Sequence, residues 1–364
     1  MSVISILIFS LLSFITGAAQ PGGNAGADLV FVGDAMQHQA QLDQAKAVGR
    51  GGEYDYADCF RLIAPVIAEA DYAVCNLEVP LGGGPRYSGY PCFSAPDSYA
   101  AALRDAGFDM ALTANNHCLD SGMKAARRTL DALDTLGLDH IGTWHDRQDR
   151  DTLVPYIKDI NGIKFGFLNY TYGTNGIPAR DGMEVAYIDK ERIADEIRRS
   201  KEAGAEIMVV AMHWGIEYVL HENGVQRDLA QFLVDNGVDL VIGGHPHVVQ
   251  PMRVVRNEKE QKDVLVVYSL GNLISNMKTG DTRGGALVKV RVERDDDGVA
   301  RFKSAAYDTF LSAKPEGRLR NFQVIPSWLT DSIPAGQRAH WQIFNSAAQK
   351  LFDKENVKVN RLER

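Results

Sequence analysis

The sequence predicts an α/β protein built as a layered α/β sandwich. Short apolar runs of β-forming residues alternate with segments whose apolar residues recur at helical spacing. Several of those runs also end alike, in polar residues able to ligate a cation or polarise a bond. Composition fits a globular chain: 364 residues, 45% hydrophobic and 24% charged, enough for one large domain or a domain with an appendage. The formal net charge is −8 and no Lys/Arg run exceeds a pair, so no nucleic-acid partner is expected. An acidic protein that handles an anionic substrate must concentrate positive charge locally. Bound divalent cations would do so.

Residues 1–19 are apolar, uncharged and end in Gly17-Ala18-Ala19, which reads as a secretory signal peptide cut after Ala19. The missing basic n-region leaves a retained membrane anchor open. No Cys follows for lipid attachment, and no later run is long and apolar enough to span a bilayer. The mature protein is expected to be exported, to the periplasm, cell envelope or medium. Residues 20–27 read as a Gly-containing linker, 28–310 as the main domain and 311–364 as a C-terminal appendage packed on it. Strands are expected at 29–32, 72–75, 110–113, 164–168, 207–211, 238–242, 264–268 and 286–292.

Between them, Ser121 caps a helix with Met123, Ala126, Leu130 and Leu133 on one stripe, closed by Gly137. Asp189 caps another carrying Ile193 and Ile197. Asn223 caps a third with Val225, Leu229, Phe232 and Leu233 inward, ended by Gly237. Residues 57–70 have a helical pattern interrupted by Pro65, hence a kinked or shorter helix. The acidic run at 293–297 with Gly298 predicts a solvated hairpin turn between two late strands. An amphipathic helix is expected near 339–352. The four cysteines, Cys59, Cys75, Cys92 and Cys118, match no small disulfide framework and allow three pairings. Cys75 reads as buried and inert, and Cys118 as structural or a soft metal ligand.

The chemistry concentrates after the apolar runs. His245 and His247 stand two apart behind Gly243-Gly244. The glycines let the backbone turn, Pro246 fixes φ between the rings, and neutral imidazole is the commonest metal ligand. Alone, the pair reads as two loop histidines. It is not alone: Asp34, Glu78, Asn116, His117 and His213 each follow an apolar run of their own and could converge on one sheet edge. Asp, Glu, Asn and several His suit zinc, manganese or iron rather than calcium. One carboxylate between two cations would make a two-metal centre, lowering the pKa of a bridging water and clamping the oxygens of a phosphoryl group. An unpaired Glu78 carboxylate is hard to explain as scaffold. Asn76 reads equally as a ligand or a buried structural amide, and His38 stands between surface residue and ligand. Trp214 and Tyr218 line a pocket or the core, and Arg86 and Arg180 are loop cations available to an anion. His140, His145, His221 and His340 lie away from the run ends.

The blocks Val-Gly-Asp34-Ala-Met, Asn76-Leu-Glu78, Ala-Asn115-Asn116-His117-x-Leu-Asp120, His213-Trp-Gly-x-Glu217-Tyr, Asp239-Leu-Val-Ile-Gly-Gly-His245-Pro-His247 and Tyr268-Ser-Leu-Gly-Asn272 follow one another here. In that order they resemble the CapA-type poly-γ-glutamate capsule-biosynthesis proteins, a branch of the calcineurin-like metallophosphoesterase superfamily. The resemblance runs from about residue 29 to about residue 274. It implies a metallophosphatase-type sandwich with one or two divalent cations (Mn, Zn or Fe) at the strand ends. It makes Asp34 the first metal carboxylate, Asn116 the amide ligand, and His213, His245 and His247 the histidine ligands. His117, with Asp120, becomes the catalytic candidate that assists the attacking or leaving oxygen. Two departures stand out. The superfamily's Asp-x-His is replaced by His38 four residues beyond Asp34, and Asn76-Leu-Glu78 stands where a bridging Asp after Gly is usual, so that Glu78 becomes the candidate bridge.

The implied function is metal-dependent, phosphoester-type hydrolysis in making or processing a cell-surface anionic polymer, within a membrane-associated capsule-synthesis complex. The partner would be the anionic polymer or a phosphoester. The resemblance equally accommodates a non-catalytic component that binds or exports the polymer, or a metal-dependent amidase or transferase acting on γ-glutamyl bonds.

Overall fold

The computed structural model describes residues 26–363. The expected signal peptide and most of the expected linker lie outside the described residues. β1 (Gly26–Ala35) leads through α1 (Gln39–Val48) and the short α2 (Ala64–Ile67) to β2 (Tyr72–Leu77). α3 (Asp97–Asp105) precedes β3 (Met110–Leu112), and α4 (Gly122–Leu136) precedes β4 (Asp139–Ile141) and β5 (Thr143–Trp144). After α5 (Arg147–Leu153) come β6 (Tyr156–Ile160), β7 (Ile163–Thr171) and β8 (Glu184–Val185). α6 (Lys190–Glu202) precedes β9 (Ile207–His213), and α7 (Gly224–Asp235) precedes β10 (Leu240–Gly244). Then follow β11 (Met252–Asn257), β12 (Lys262–Val267), β13 (Asn272–Ile274), β14 (Gly284–Arg294), β15 (Ala300–Ala313), β16 (Gln323–Pro326), α8 (Arg338–Glu355) and β17 (Val359–Arg361).

Among the described residues these form a two-stranded β5-β8 pair and two mixed sheets. One runs β16-β15-β14-β1-β2-β3-β4, with β13 added beside β1 and β17 beside β15; the other runs β11-β12-β10-β9-β7-β6. β1 to β4 are parallel, as are β7, β9, β10 and β12. The period-2 alternation of β1 explains the layering. Leu29 and Phe31 enter a core shared with Phe165, Val209, Leu240 and Val267 of the second sheet. Val30 and Val32 face the other way, toward Ala45, Tyr99 and Leu103 of the covering helices. On the far side, Tyr170, Val210 and Met212 pack under Ile193, Ile197, Leu229 and Leu233. The layered α/β sandwich expected from the sequence is the observed architecture.

Helix ends follow their expected chemistry in part. Asp189 and Asn223 accept from the N–H groups of Arg192 and Gln226, and Gly137 closes α4 at φ +71°. Ser121 instead donates its hydroxyl to the Phe93 carbonyl, 2.7 Å. Val225, expected inward, is 67% exposed because it lies in the first turn of α7, off the stripe that Gln226, Leu229 and Leu233 bury. Pro65 leaves only the four-residue α2 from the expected 57–70 segment. The hairpin between β14 and β15 forms as expected, but Asp295 is occupied there by the N–H groups of Asp297 and Val299.

Two expected boundaries do not follow the strands. Gly26 and Ala27 pair with Glu293 and Val292, so the linker's end is already sheet. The 310/311 boundary falls inside β15, and β16 and β17 pair with that strand. The C-terminal segment is part of the first sheet, with Trp341, Phe344 and Phe352 of α8 in the shared core.

Candidate metal centre

All of the expected ligands come from the C-terminal ends of parallel strands, in both sheets. Asp34 is in β1, Glu78 directly follows β2, Asn116 and His117 follow β3, His213 ends β9, and His245 and His247 follow β10. Asp34 reaches the rim because β1 changes partners. Gly26–Phe31 pairs with β14, whereas Asp34 pairs with Asn272 of β13 on one side and Asn76 of β2 on the other. The register shifts between Phe31 and Asp34, where Gly33 passes against the Gly271 carbonyl too closely for any Cβ.

Gly243 and Gly244 act through space rather than through turning, which corrects the expectation for them. Neither has positive φ; a Cβ on Gly243 would overlap the Tyr268 carbonyl, and one on Gly244 would stand 2.9 Å from Asp34 Oδ1. The left-handed backbone falls on His245 (φ +97°) and His247 (φ +58°) themselves. A non-Gly residue held there costs roughly 1–3 kcal/mol, a strain found mostly at functional sites. One restraint is visible: the His245 N–H donates to Asp34 Oδ2, 3.2 Å.

Two overlapping sets of ligating atoms result: Glu78, His245 and His247, and Asp34, Glu78 and His213, each set lying within 4.8 Å of one another. Glu78 belongs to both. Its Oε1 lies 3.6 Å from His213 Nε2 and 3.8 Å from His247 Nε2, too far for hydrogen bonds. Oε1 has no partner, nor has His245 Nδ1, and both are buried. Such orphans are costly in a native site. Separations near 3.7 Å are what two ligands on one cation show, since each bond is roughly 2.0–2.2 Å long. The donor set and the orphaned atoms fit a divalent cation.

A ring of amides orients these groups. Asn76 donates to Asp34 Oδ1 (2.7 Å) and to Glu78 Oε2 (3.2 Å), and Asn115 donates to Asn76 Oδ1 (3.1 Å). Asn76 is therefore an orienting amide. Asn116 Oδ1 meets His213 Nε2 at 2.7 Å, and Asn272 Oδ1 meets His247 Nδ1 at 3.0 Å. Asn272 lay in a noted block without a role. Asn175, from the loop after β7, had no signal: its Nδ2 lies 3.3 Å from His117 Nδ1 and its Oδ1 accepts from Asn116.

Asp120 Oδ2 lies 2.7 Å from His117 Nδ1 and accepts the Phe93 N–H. That pairing places the proton on Nδ1 and leaves Nε2 to exchange one. His38 is half-buried and accepts the Asn276 N–H at Nδ1, outside both ligand sets. Cys118 packs with Leu119, Leu130 and Val185, burial pushes its thiol up to about 12, and it lies outside both ligand sets. All four cysteines are free. Arg86 and Arg180 are exposed. Trp214 is core, donating to the Tyr268 carbonyl, whereas Tyr218 is half-exposed, its ring 6.3 Å from His247. Tyr172, also without a sequence signal, is half-exposed with its ring 4.6 Å from His245.

Burial alone would raise the Asp34 carboxyl, but the His247 hydrogen bond, the His247 and His213 charges and the Asn76 amide bring it down to about 2. Burial and the Asp34 charge push Glu78 well above its ordinary value. Burial lowers His213 well below 6.5, His245 to about 3 and His38 to about 4. Below pH 6.5 the unfolded chain therefore binds protons that these three histidines refuse in the metal-free fold, whereas Glu78 keeps a proton in the fold that the unfolded chain has lost. The histidines outnumber the carboxyl, so stability is expected to fall as the pH drops from 6.5 toward 4, each histidine contributing about 1.4 kcal/mol per pH unit and Glu78 offsetting about one of them. Urea titrations across that range check the sign and the slope.

The family model described as "Bacterial capsule synthesis protein PGA_cap" matches residues 28–277. The PGA biosynthesis protein CapA of Bacillus subtilis (strain 168) is 29% identical over 284 residues, covering 76% of this chain and 70% of its own length. The capsule biosynthesis protein CapA of Bacillus anthracis is 29% identical over 289 residues, 76% of this chain and 66% of its own. Among solved structures, the calcineurin-like phosphoesterase YfkN from Bacillus subtilis superposes with a TM-score of 0.47 at 16% identity, over 79% of this chain and 91% of that one. At that TM-score the likeness carries no weight.

Proposed function

This chain belongs to the bacterial capsule synthesis protein family PGA_cap, and from that premise we propose that it is a metal-dependent hydrolase with phosphoester chemistry. It acts in making or processing a cell-surface anionic polymer such as a poly-γ-glutamate capsule. The observation that carries this reading is Glu78, shared by both ligand sets with its Oε1 buried and unpartnered. The named relatives, a PGA biosynthesis and a capsule biosynthesis protein, support the polymer. They also support an envelope location, and no helix among the described residues is long and apolar enough to cross a membrane.

Asp34, Glu78, Asn116, His213, His245 and His247 would hold one or two divalent cations, of manganese, zinc or iron. A cation bound there supplies Lewis-acid polarisation of a phosphoryl oxygen. Burial keeps His213 and His245 unprotonated and ready to ligate. Asn272 fixes the ring of His247, and Asn116 Oδ1 stands 2.7 Å from His213 Nε2 as a neighbouring donor for the same cation. His117, its Nδ1–H held by Asp120, would take a proton from solvent onto Nε2 and, as the imidazolium, pass it to the departing oxygen. Removing an orienting group typically lowers metal affinity by about 10–100-fold. Asn272→Ala is expected to do so at unchanged metal stoichiometry, which a competition titration with a chelating dye reads.

The test is to assay metal content and turnover of p-nitrophenyl phosphate before and after chelation, then after re-adding manganese, zinc or iron. Turnover that vanishes with the metal and returns with it is expected. Bound metal with no turnover on phosphoesters or γ-glutamyl bonds would move the protein to a polymer-binding role, and new amine ends released from poly-γ-glutamate would make it an amidase.

A further inference from the structure

Three cations of this acidic chain gather beside the centre and form no ion pair among the described residues. Lys278 and Arg283 lie between β13 and the start of β14, and Lys314 directly follows β15. Asn272, which orients His247, also donates to the Thr282 carbonyl at 3.1 Å, and the Asn276 N–H donates to His38 Nδ1. These bonds seat the loop against the metal site. Ser275 and Ser312 then draw in the end of β15: the Ser275 N–H donates to Ser312 Oγ (3.0 Å), which donates to the Ser275 carbonyl (2.9 Å). Gln337 ties two of the cations together, its Oε1 accepting from Arg283 Nη2 (3.0 Å) and from the Lys314 N–H (2.8 Å).

Arg283 is only 5% exposed, yet its Nε has no partner. None of the three forms an ion pair among the described residues. Of the acids beside them in sequence, Glu316 accepts the Gly336 N–H and Asp281 makes no ion pair with them. Burial and the charges of Arg283 and Lys278 hold the Lys314 ammonium below its ordinary value, and burial lowers Arg283. A buried guanidinium donor left unanswered among like charges is unfavourable until an anion arrives.

We propose that Lys278, Arg283 and Lys314 form an anion subsite beside the metal centre, built to take a carboxylate or phosphate group of a polyanionic substrate. The subsite rests on the proposed function for its place in the reaction, but its occupancy is measurable without turnover. It would hold a second negative group of the substrate while the group at Glu78 reacts.

The test uses the full chain as purified and two probes, a γ-linked oligoglutamate of about ten residues and inorganic phosphate, titrated calorimetrically at two salt concentrations. Arg283 is left intact because it is buried; the variant is Lys278→Gln with Lys314→Gln. Affinity is expected to fall at least about tenfold, with a flatter salt dependence. The melting temperature, metal content and p-nitrophenyl phosphate turnover should hold. A loss confined to oligoglutamate identifies a carboxylate site, and one confined to inorganic phosphate a phosphate site. Equal affinities in variant and wild type for both probes, or no binding of either by wild type, overturn the proposal. Failure of the hydrolase reading would show separately, as absent turnover in the wild type.

Discussion

His245→Ala is expected to lose bound divalent metal and about a hundredfold or more of phosphoester turnover, without losing the fold. The His245 ring is 3% exposed and its Nδ1 has no partner, so in the metal-free protein it is a buried polar group with nothing to do. Truncation removes that orphan but also the ring's packing on Tyr172 and His213, whose ring centroids lie 4.6 and 4.9 Å away. The two effects oppose each other, so the metal-free variant should melt close to metal-free wild type. Wild type gains stability on adding metal and the variant does not, because only the native fold presents both ligand sets. A variant that keeps stoichiometric metal and full turnover would remove His245 from the site. Activity would have been bought there with stability, as strained and desolvated functional groups usually require.

Gly243→Ala is expected to destabilise the protein by about 3 kcal/mol or more, near the upper range for overpacking, and to weaken metal binding as well. Its Cβ would overlap the Tyr268 carbonyl and stand 2.6 Å from Trp214 Nε1, itself donating to that carbonyl at 2.9 Å. Both neighbours are buried and neither is the loose end of a flexible side chain. Relief must come from β10 shifting, and His245 and His247 follow directly on β10. Gly173→Ala is the control: nothing lies within 4 Å of its Cβ and its φ is ordinary. Chemical denaturation of the two variants should separate them clearly, and equal stabilities would contradict this account of the glycines.

The parallel cores of both sheets were legible because their strands are continuous apolar runs, buried on both faces. The candidate ligands were legible for the same reason, since each ends or follows such a run. Less was visible where pairing supplies what local pattern lacks. β13 is three residues long and exists because Asp34 and Ala35 pair with it. β17 joins β15 from about fifty residues away in sequence, and β15, expected only as the strand after the 293–298 turn, mixes Arg, Lys, Ser and Asp among its apolar residues, so no apolar run marks its extent. That is why residues 311–364 read as an appendage. Tyr172 and Asn175 reach the centre only through the path of the loop after β7. The Gly243-Gly244 signal pointed to the right place for the wrong reason, because close approach and tight turning call for the same residue.

The central claim is that Glu78 serves two ligand sets around a divalent cation. Diffraction from crystals grown with manganese and with zinc, recorded on either side of each metal's absorption edge, tests it most directly. The account predicts an anomalous peak within bonding distance of Glu78 Oε1, with His245 and His247 or Asp34 and His213 as its other neighbours. A refined structure in which both metals are supplied and no anomalous density lies within reach of Glu78 would contradict it.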